Sequence, residues 1–210
     1  MRVYISPSSQ INNKYAYGNY TEAQVCRIIG EYMRNRIQAR YKDKITCKLA
    51  SDSLDVSGRI KDSNNFGADL HFCIHTNADG GDGTLVMCYP GYEKNEYVTR
   101  AYNAISQLSP GKDDGIKART DLAEITGTKA ICVYVEVEFH DTSSLAKWIV
   151  GNMQKIGYAL ADSILGESEE NVSRETLYKV QVGAFKNKEN AEKLKSELES
   201  KGYDAFIKVE

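Results

Sequence analysis

No run of apolar residues in this 210-residue chain approaches the roughly 20 needed to cross a bilayer as a helix. A membrane-spanning helix is thereby excluded. Positive charge is not in excess either. Against 29 acidic residues stand 27 Lys and Arg, and the formal net charge is -2, so there is no basic field of the kind that holds nucleic acid. No Cys-x-x-Cys occurs among the five cysteines, Cys26, Cys47, Cys73, Cys88 and Cys132, which excludes a structural zinc ribbon. They are scattered, odd in number and mostly inside apolar runs, so they read as reduced core thiols. The start, Met1-Arg-Val-Tyr-Ile5, enters a strand pattern with no signal-peptide apolar region or cleavage site. The expectation is a chain made in the cytoplasm without a signal peptide, or one from which a leader has been removed.

What remains is the composition of a soluble globular protein, 41% hydrophobic and 27% charged. The length suits one domain of ordinary size and a small appendage. Strand and helix patterns alternate. Strands are expected at 2–6, 45–49, from 69, at 84–89 and at 130–139. Helices are expected from Thr21 as N-cap to about 43, and at 54–65, 94–108 and 143–165. Residues 116–129 read as an irregular polar loop. This order predicts an α/β fold, a three-layer domain with a mostly parallel central sheet. A small C-terminal β-α-β unit follows, with strands at 178–185 and 204–209 around a helix at 188–201. The boundaries are 1–165 for the main domain, 166–175 for an acidic linker and 176–210 for the small unit.

Two stretches carry chemistry. In Asp69-Leu-His-Phe-Cys-Ile-His-Thr-Asn-Ala78 an apolar strand runs into a glycine-rich turn, which puts His75 at the strand's C-terminal lip. Ligands gather outside that edge in an α/β sheet, and imidazole is the commonest metal ligand. His71 lies about 13 Å earlier on the same face, too far to share a metal with His75, and reads as packing or hydrogen bonding. In Ile131-Cys-Val-Tyr-Val-Glu-Val-Glu-Phe-His140 two acids sit within an apolar strand. A buried carboxylate is costly unless it is paired or metal-linked. Period-2 alternation puts Glu136, Glu138 and His140 on one face. Glu22 in the first turn of its helix suits the helix dipole and is also free to serve as a ligand. Glu22, His75 and Glu136 fit a metal site with a general base.

Residues 1–165 resemble the zinc-dependent N-acetylmuramoyl-L-alanine amidases of the third amidase family, found in autolysins and phage endolysins. The matching pieces are Glu22, Ala68-Asp-Leu-His-Phe-Cys-Ile-His-Thr-Asn-Ala78, Gly83 and Val135-Glu-Val-Glu-Phe139. The resemblance implies Glu22 and His75 as ligands of Zn2+ and Glu136 as catalytic acid/base. One element departs. The family carries a third zinc-binding histidine after its first strand, where this chain has Ser6-Pro-Ser-Ser-Gln10, with Ser9 nearest the expected position. Two substitutes are available. Gln10 offers an amide oxygen, which suits harder cations. His140 offers the better imidazole, with Asp141 to orient it, and is the favoured expectation.

The tail, with Leu177-Tyr-Lys-Val-Gln-Val-Gly-Ala-Phe185 and Lys201-Gly-Tyr-Asp-Ala205, is similar to half of a SPOR-type peptidoglycan-binding domain. One half leaves an apolar face uncovered, so the expectation is a homodimer through 176–210. The implied function is a zinc hydrolase of bacterial peptidoglycan that cuts between N-acetylmuramic acid and L-alanine. It would act on the wall after release or lysis, with Tyr17, Asn77 and the 116–129 loop shaping its groove. The alternatives are a catalytically degenerate wall-binding module and a metallopeptidase acting on stem peptides.

Overall fold

The computed structural model describes residues 1–112, 114–166, 182–200 and 207. Its main unit is built on six strands: β1 (Arg2–Pro7), β2 (Thr46–Leu49), β3 (Leu70–Asn77), β4 (Leu85–Cys88), β5 (Gly115–Ala118) and β6 (Ile131–Phe139). They form one sheet in the order β2-β1-β3-β6-β4-β5. All neighbouring pairs are parallel except β4 with β6. The expected mostly parallel sheet is therefore present, and β6, the most apolar run in the sequence, is interior to it.

Strand alternation divides the side chains between two layers. Ile5, Phe72, Ile74, Val133, Val135 and Val137 enter the main core. There they meet α1 (Glu22–Arg40), α3 (Glu96–Ser106) and α5 (Ser143–Leu165). Cys73, Leu85, Met87, Cys132 and Tyr134 point the other way, into a smaller cluster with Ile125 of α4 (Ala123–Gly127). The remaining helix of the unit is α2 (Val56–Phe66).

Helix α1 begins where the sequence predicts. The Thr21 hydroxyl accepts from Gln24 N–H, and the Gln24 side chain returns to Thr21 N–H, closing a capping box. Glu22 is thereby fixed as the first helical residue. The far end is tied to α5 by Arg36, which donates to both oxygens of buried Asp162 at 2.9 and 2.7 Å, while Tyr41 Oη donates at 2.8 Å. Between these ends the two helices touch closely. A Cβ on Gly157 would fall 2.6 Å from the Ile29 carbonyl oxygen and 2.7 Å from Tyr32 Cβ. Gly157→Ala is expected to cost about 1–3 kcal/mol in denaturant unfolding, because two backbones must part to admit a methyl group.

The structure corrects one expectation for this unit. Residues 116–129 are not one irregular loop but contain most of β5 and all of α4. Helix α5 ends at Leu165, and Gly166 takes the left-handed C-cap at φ 69°.

The chain divides into two compact units, Met1–Val172 and Ser173–Glu210. In the second, α6 (Lys188–Ser200) forms as expected, and residues 182–185 have no regular structure. The 166–175 linker beyond Gly166, residues 178–181 of the first tail strand and all of the second except Ile207 lie outside the described residues. Among the described residues, no helix is long and apolar enough to cross a membrane.

Candidate active site

The C-terminal lip of β3 receives groups from three other segments. Glu22 at the start of α1 reaches His75, with Oε1 2.9 Å from Nδ1. Asn13, in the loop after β1, donates to Glu22 Oε2 at 2.8 Å and to Gln10 Oε1 at 2.7 Å. Ser8 also hydrogen-bonds the Glu22 carboxylate. Tyr134, from β6, stacks on the His75 ring at 4.5 Å and 22°, which fixes the plane of the imidazole. Glu136 faces His75 across the β3–β6 ladder. The structure thus brings Glu22, His75 and Glu136 to one place, and links Gln10 to them through Asn13.

Burial sets the electrostatics. Glu136 is half-buried as a residue, and its Oε2 is sealed from solvent and has no hydrogen-bond partner. Desolvation pushes its pKa up to about 7; the His75 charge opposes this and Glu22 adds to it. Such a carboxyl is poised to take and release a proton near neutrality. Burial would also raise Glu22, but the hydrogen bond and charge of His75, with bonds from Asn13 and Ser8, hold it below the usual carboxylate range. Burial pulls His75 down. The Glu22 hydrogen bond and the neighbouring carboxylates outweigh that and raise it.

His140 does not join this group, and the reason is a slip of one residue. Glu136 pairs with His75, whereas Phe139, not Glu138, pairs with Asn77. The extra residue in β6 is a bulge, and it reverses the facing of every side chain after it. His140 consequently lies on the Thr76 side. Its Nδ1 is within bonding distance of Thr76 O at 3.1 Å and Oγ1 at 3.0 Å, and its ring stacks on Tyr15. Tyr15 Oη donates to the same Thr76 hydroxyl at 3.0 Å. Asp141, expected to orient His140, instead accepts from Asp79 N–H and Gly80 N–H at 2.8 and 2.9 Å. It stabilises the turn after β3, where Asp79 has φ 80°.

Glu138 departs from the shared face as well. Its Oε1 accepts from Gly83 N–H at 2.6 Å and Phe139 N–H at 3.0 Å, while Ser109 donates to Oε2. This buried carboxylate holds together the loops flanking β4 and α3. Glu138→Ala would leave two buried N–H groups unpaired, and each costs about 1–3 kcal/mol. The expected result is a large fall in thermal stability with bound metal retained, read by calorimetry and metal analysis.

A cleft of about 240 Å³ opens beside His75, with Gln10, Ser9, Arg59, Glu124 and Tyr134 in its wall. The 116–129 region does shape it, through residues 121–124, whereas Tyr17 and Asn77 are not part of its lining. Three members of the constellation are absent from the sequence reading: Asn13, Tyr134 and Glu124. Glu124 carried a signal, an acid between the apolar Leu122 and Ile125 in a run otherwise read as loop. His71 is satisfied, as expected, by Ser63 Oγ at 2.9 Å and Glu124 Oε1 at 3.0 Å. Among the described residues, the one trio of His, Cys, Asp or Glu whose ligand atoms all lie within 4.8 Å of one another is His71, Cys73 and Glu124. Glu22, His75 and His140 form no such trio.

Comparisons with known proteins place the chain in a family. The family model for N-acetylmuramoyl-L-alanine amidase (Amidase_3) matches residues 4–166, and that for the SPOR domain matches 174–210. An N-acetylmuramoyl-L-alanine amidase of Bacillus licheniformis is 25% identical over 214 aligned positions, covering 99% of this chain and 84% of the relative. The sporulation-specific N-acetylmuramoyl-L-alanine amidase of Bacillus subtilis is 26% identical over 217, with the same coverage. Among solved structures, an N-acetylmuramoyl-L-alanine amidase of Nostoc punctiforme superposes with a TM-score of 0.68 at 17% identity, over 83% of this chain and 98% of that one. With the amidase family model matching residues 4–166, most of its length, the chain belongs to the N-acetylmuramoyl-L-alanine amidase family and carries a C-terminal SPOR segment.

Proposed function

We propose that this protein hydrolyses bacterial peptidoglycan at the amide between the lactyl group of N-acetylmuramic acid and L-alanine, using zinc. The observation that carries the reading is the unpartnered buried Oε2 of Glu136 beside the Glu22–His75 pair. A buried anion without a partner is unfavourable, and a cation held by its neighbours would relieve it. Glu22 Oε1 and His75 Nδ1, 2.9 Å apart, are near the roughly 3.3 Å separation of two donors on tetrahedral zinc with bonds of about 2.0 Å. They fit the metal at two positions. The third falls to Gln10, whose amide oxygen Asn13 ties to Glu22, rather than to His140, which the bulge turns to the Thr76 side and which makes no close ligand cluster with Glu22 and His75. Bound zinc would polarise the scissile carbonyl and lower the pKa of a coordinated water.

The chain's own groups do the rest. Glu136 takes the proton of the attacking water and returns it to the departing L-alanine amine. Tyr134 holds the His75 ring in plane, and Asn13 holds the Glu22 carboxylate. The cleft beside His75 receives the stem peptide. A second reading has a specific observation in its favour. Ser9 stands where the family has its third histidine, so a metal-free module that only grips the wall has a basis in the sequence. Zinc analysis together with detection of newly freed L-alanine amines separates the two, because the module releases none.

The SPOR segment is the wall-gripping part of this scheme and pairs with a second copy. Its outward side chains include Val182, 62% exposed, and Phe185, 47% exposed, and burying them removes apolar surface from water. Light scattering is expected to show a dimer for the full chain and a monomer for a chain ending at Leu165. A monomeric full chain at micromolar concentration would refute the pairing.

A further inference from the structure

The sheet face beneath α2 and α4 carries a second set of ligating groups, on the strands that hold the active site but deeper in the protein. His71 Nε2, Cys73 Sγ and a carboxylate oxygen of Glu124 all lie within 4.8 Å of one another. Cys132 Sγ is 3.9 Å from Cys73 Sγ. The four residues are at most 5% exposed. We propose that His71, Cys73, Glu124 and Cys132 form a structural zinc site, distinct from the hydrolytic centre.

The donor set carries the argument. Imidazole, thiolate and carboxylate are all zinc ligands, and four protein ligands with no open position, two of them sulfurs and one an imidazole, make a closed site of the structural kind. The sulfur separation is close to the roughly 3.8 Å expected between two thiolates on one tetrahedral zinc, given bonds of about 2.3 Å. The surroundings already orient the ligands. Ser63 Oγ is 2.9 Å from His71 Nδ1 and can accept its proton, so that an ion would replace the 3.0 Å contact between Nε2 and Glu124 Oε1. Tyr4 stacks on the same ring at 5.2 Å, and Ser6 Oγ donates to Glu124 Oε1 at 2.5 Å. On binding, each cysteine loses its thiol proton to solvent and the ion gains a sulfur ligand, with no redox change. The Cys73 thiolate and the Glu124 carboxylate neutralise the divalent ion, and the charge of Arg59, which bears on Cys73, offsets the second thiolate.

The placement gives the site a purpose. Helix α4 has five residues and no side-chain N-cap bond, too little to be stable alone. A metal shared by Glu124, β3 and β6 would fasten that helix, and with it one wall of the cleft beside His75. Glu124 also lines the cleft, which provides a route for the ion. This inference does not depend on the hydrolytic activity.

Cobalt(II) titration of the full chain tests it, because thiolate ligation produces a near-ultraviolet charge-transfer band and the Glu22–His75 centre contains no sulfur. The expected result is a saturable band in the parent chain that persists in Glu22→Gln. It is lost in Cys73→Ser and survives in Cys47→Ser, the half-buried thiol outside the cluster. Cobalt bound without a sulfur band in the parent chain would overturn the proposal, whatever the folding of the variants. A band that survives in Cys73→Ser, or that vanishes with Cys47→Ser, would overturn it too.

Discussion

Glu136→Gln is expected to lower turnover on peptidoglycan by at least two orders of magnitude while leaving bound zinc and wall binding unchanged. A positioned general base contributes about 10²–10⁴ in rate, and a hundredfold loss is about 2.7 kcal/mol of transition-state stabilisation. The substitution keeps the size of the side chain and removes its proton affinity. It also replaces a buried, unpartnered carboxylate with a group that cannot carry charge, so the folded protein is expected to be as stable as the parent or more so. That combination of lost turnover with retained stability separates a catalytic group from a structural one. Equal activity in parent and variant, measured as amine release per zinc-loaded chain, would contradict the role given to Glu136.

The second large effect concerns the metal. His75→Ala is expected to abolish stoichiometric zinc at the hydrolytic centre and all measurable hydrolysis, because it removes the imidazole and leaves Glu22 without its 2.9 Å partner. Gln10→Ala is expected to weaken zinc binding by a smaller factor, since a neutral amide oxygen is the poorer donor. His140→Ala is expected to keep zinc, because its imidazole lies on the Thr76 side of the bulge. Zinc titration in competition with a chelator ranks the three. Loss of zinc in His140→Ala with full retention in Gln10→Ala would reverse the assignment of the third position. A sulfur-ligated zinc elsewhere would not confuse the comparison, since it is followed separately by its cobalt band.

The fold was legible because the long elements carry strong periodicity. In β3 and β6 apolar side chains recur at every second position, and the acids of β6 stood out against that background. Thr21 announced the start of α1, and hence the position of Glu22. Two short elements were not legible: β5, of four residues, and α4, of five, lie in a mostly polar run with no apolar period to mark them, unlike the equally short but apolar β4. The bulge in β6 was hidden for a different reason. It is a property of pairing between two distant strands, and nothing in Glu136-Val-Glu-Phe-His140 alone says that Phe139 rather than Glu138 will face Asn77. That one-residue slip is what moved His140 and Glu138 away from the roles their alternation implied. Asn13 was missed because its function lies in joining Gln10 to Glu22 across a loop, a relation that sequence spacing does not encode.

The central claim is the bond that is cut. The most direct measurement is digestion of purified peptidoglycan with the zinc-loaded full chain, followed by labelling and identification of every newly freed amine. New amines on L-alanine, in step with time and absent after chelation, are the predicted result. New amines on any other stem residue, or none from a protein shown to hold zinc at Glu22 and His75, would contradict it.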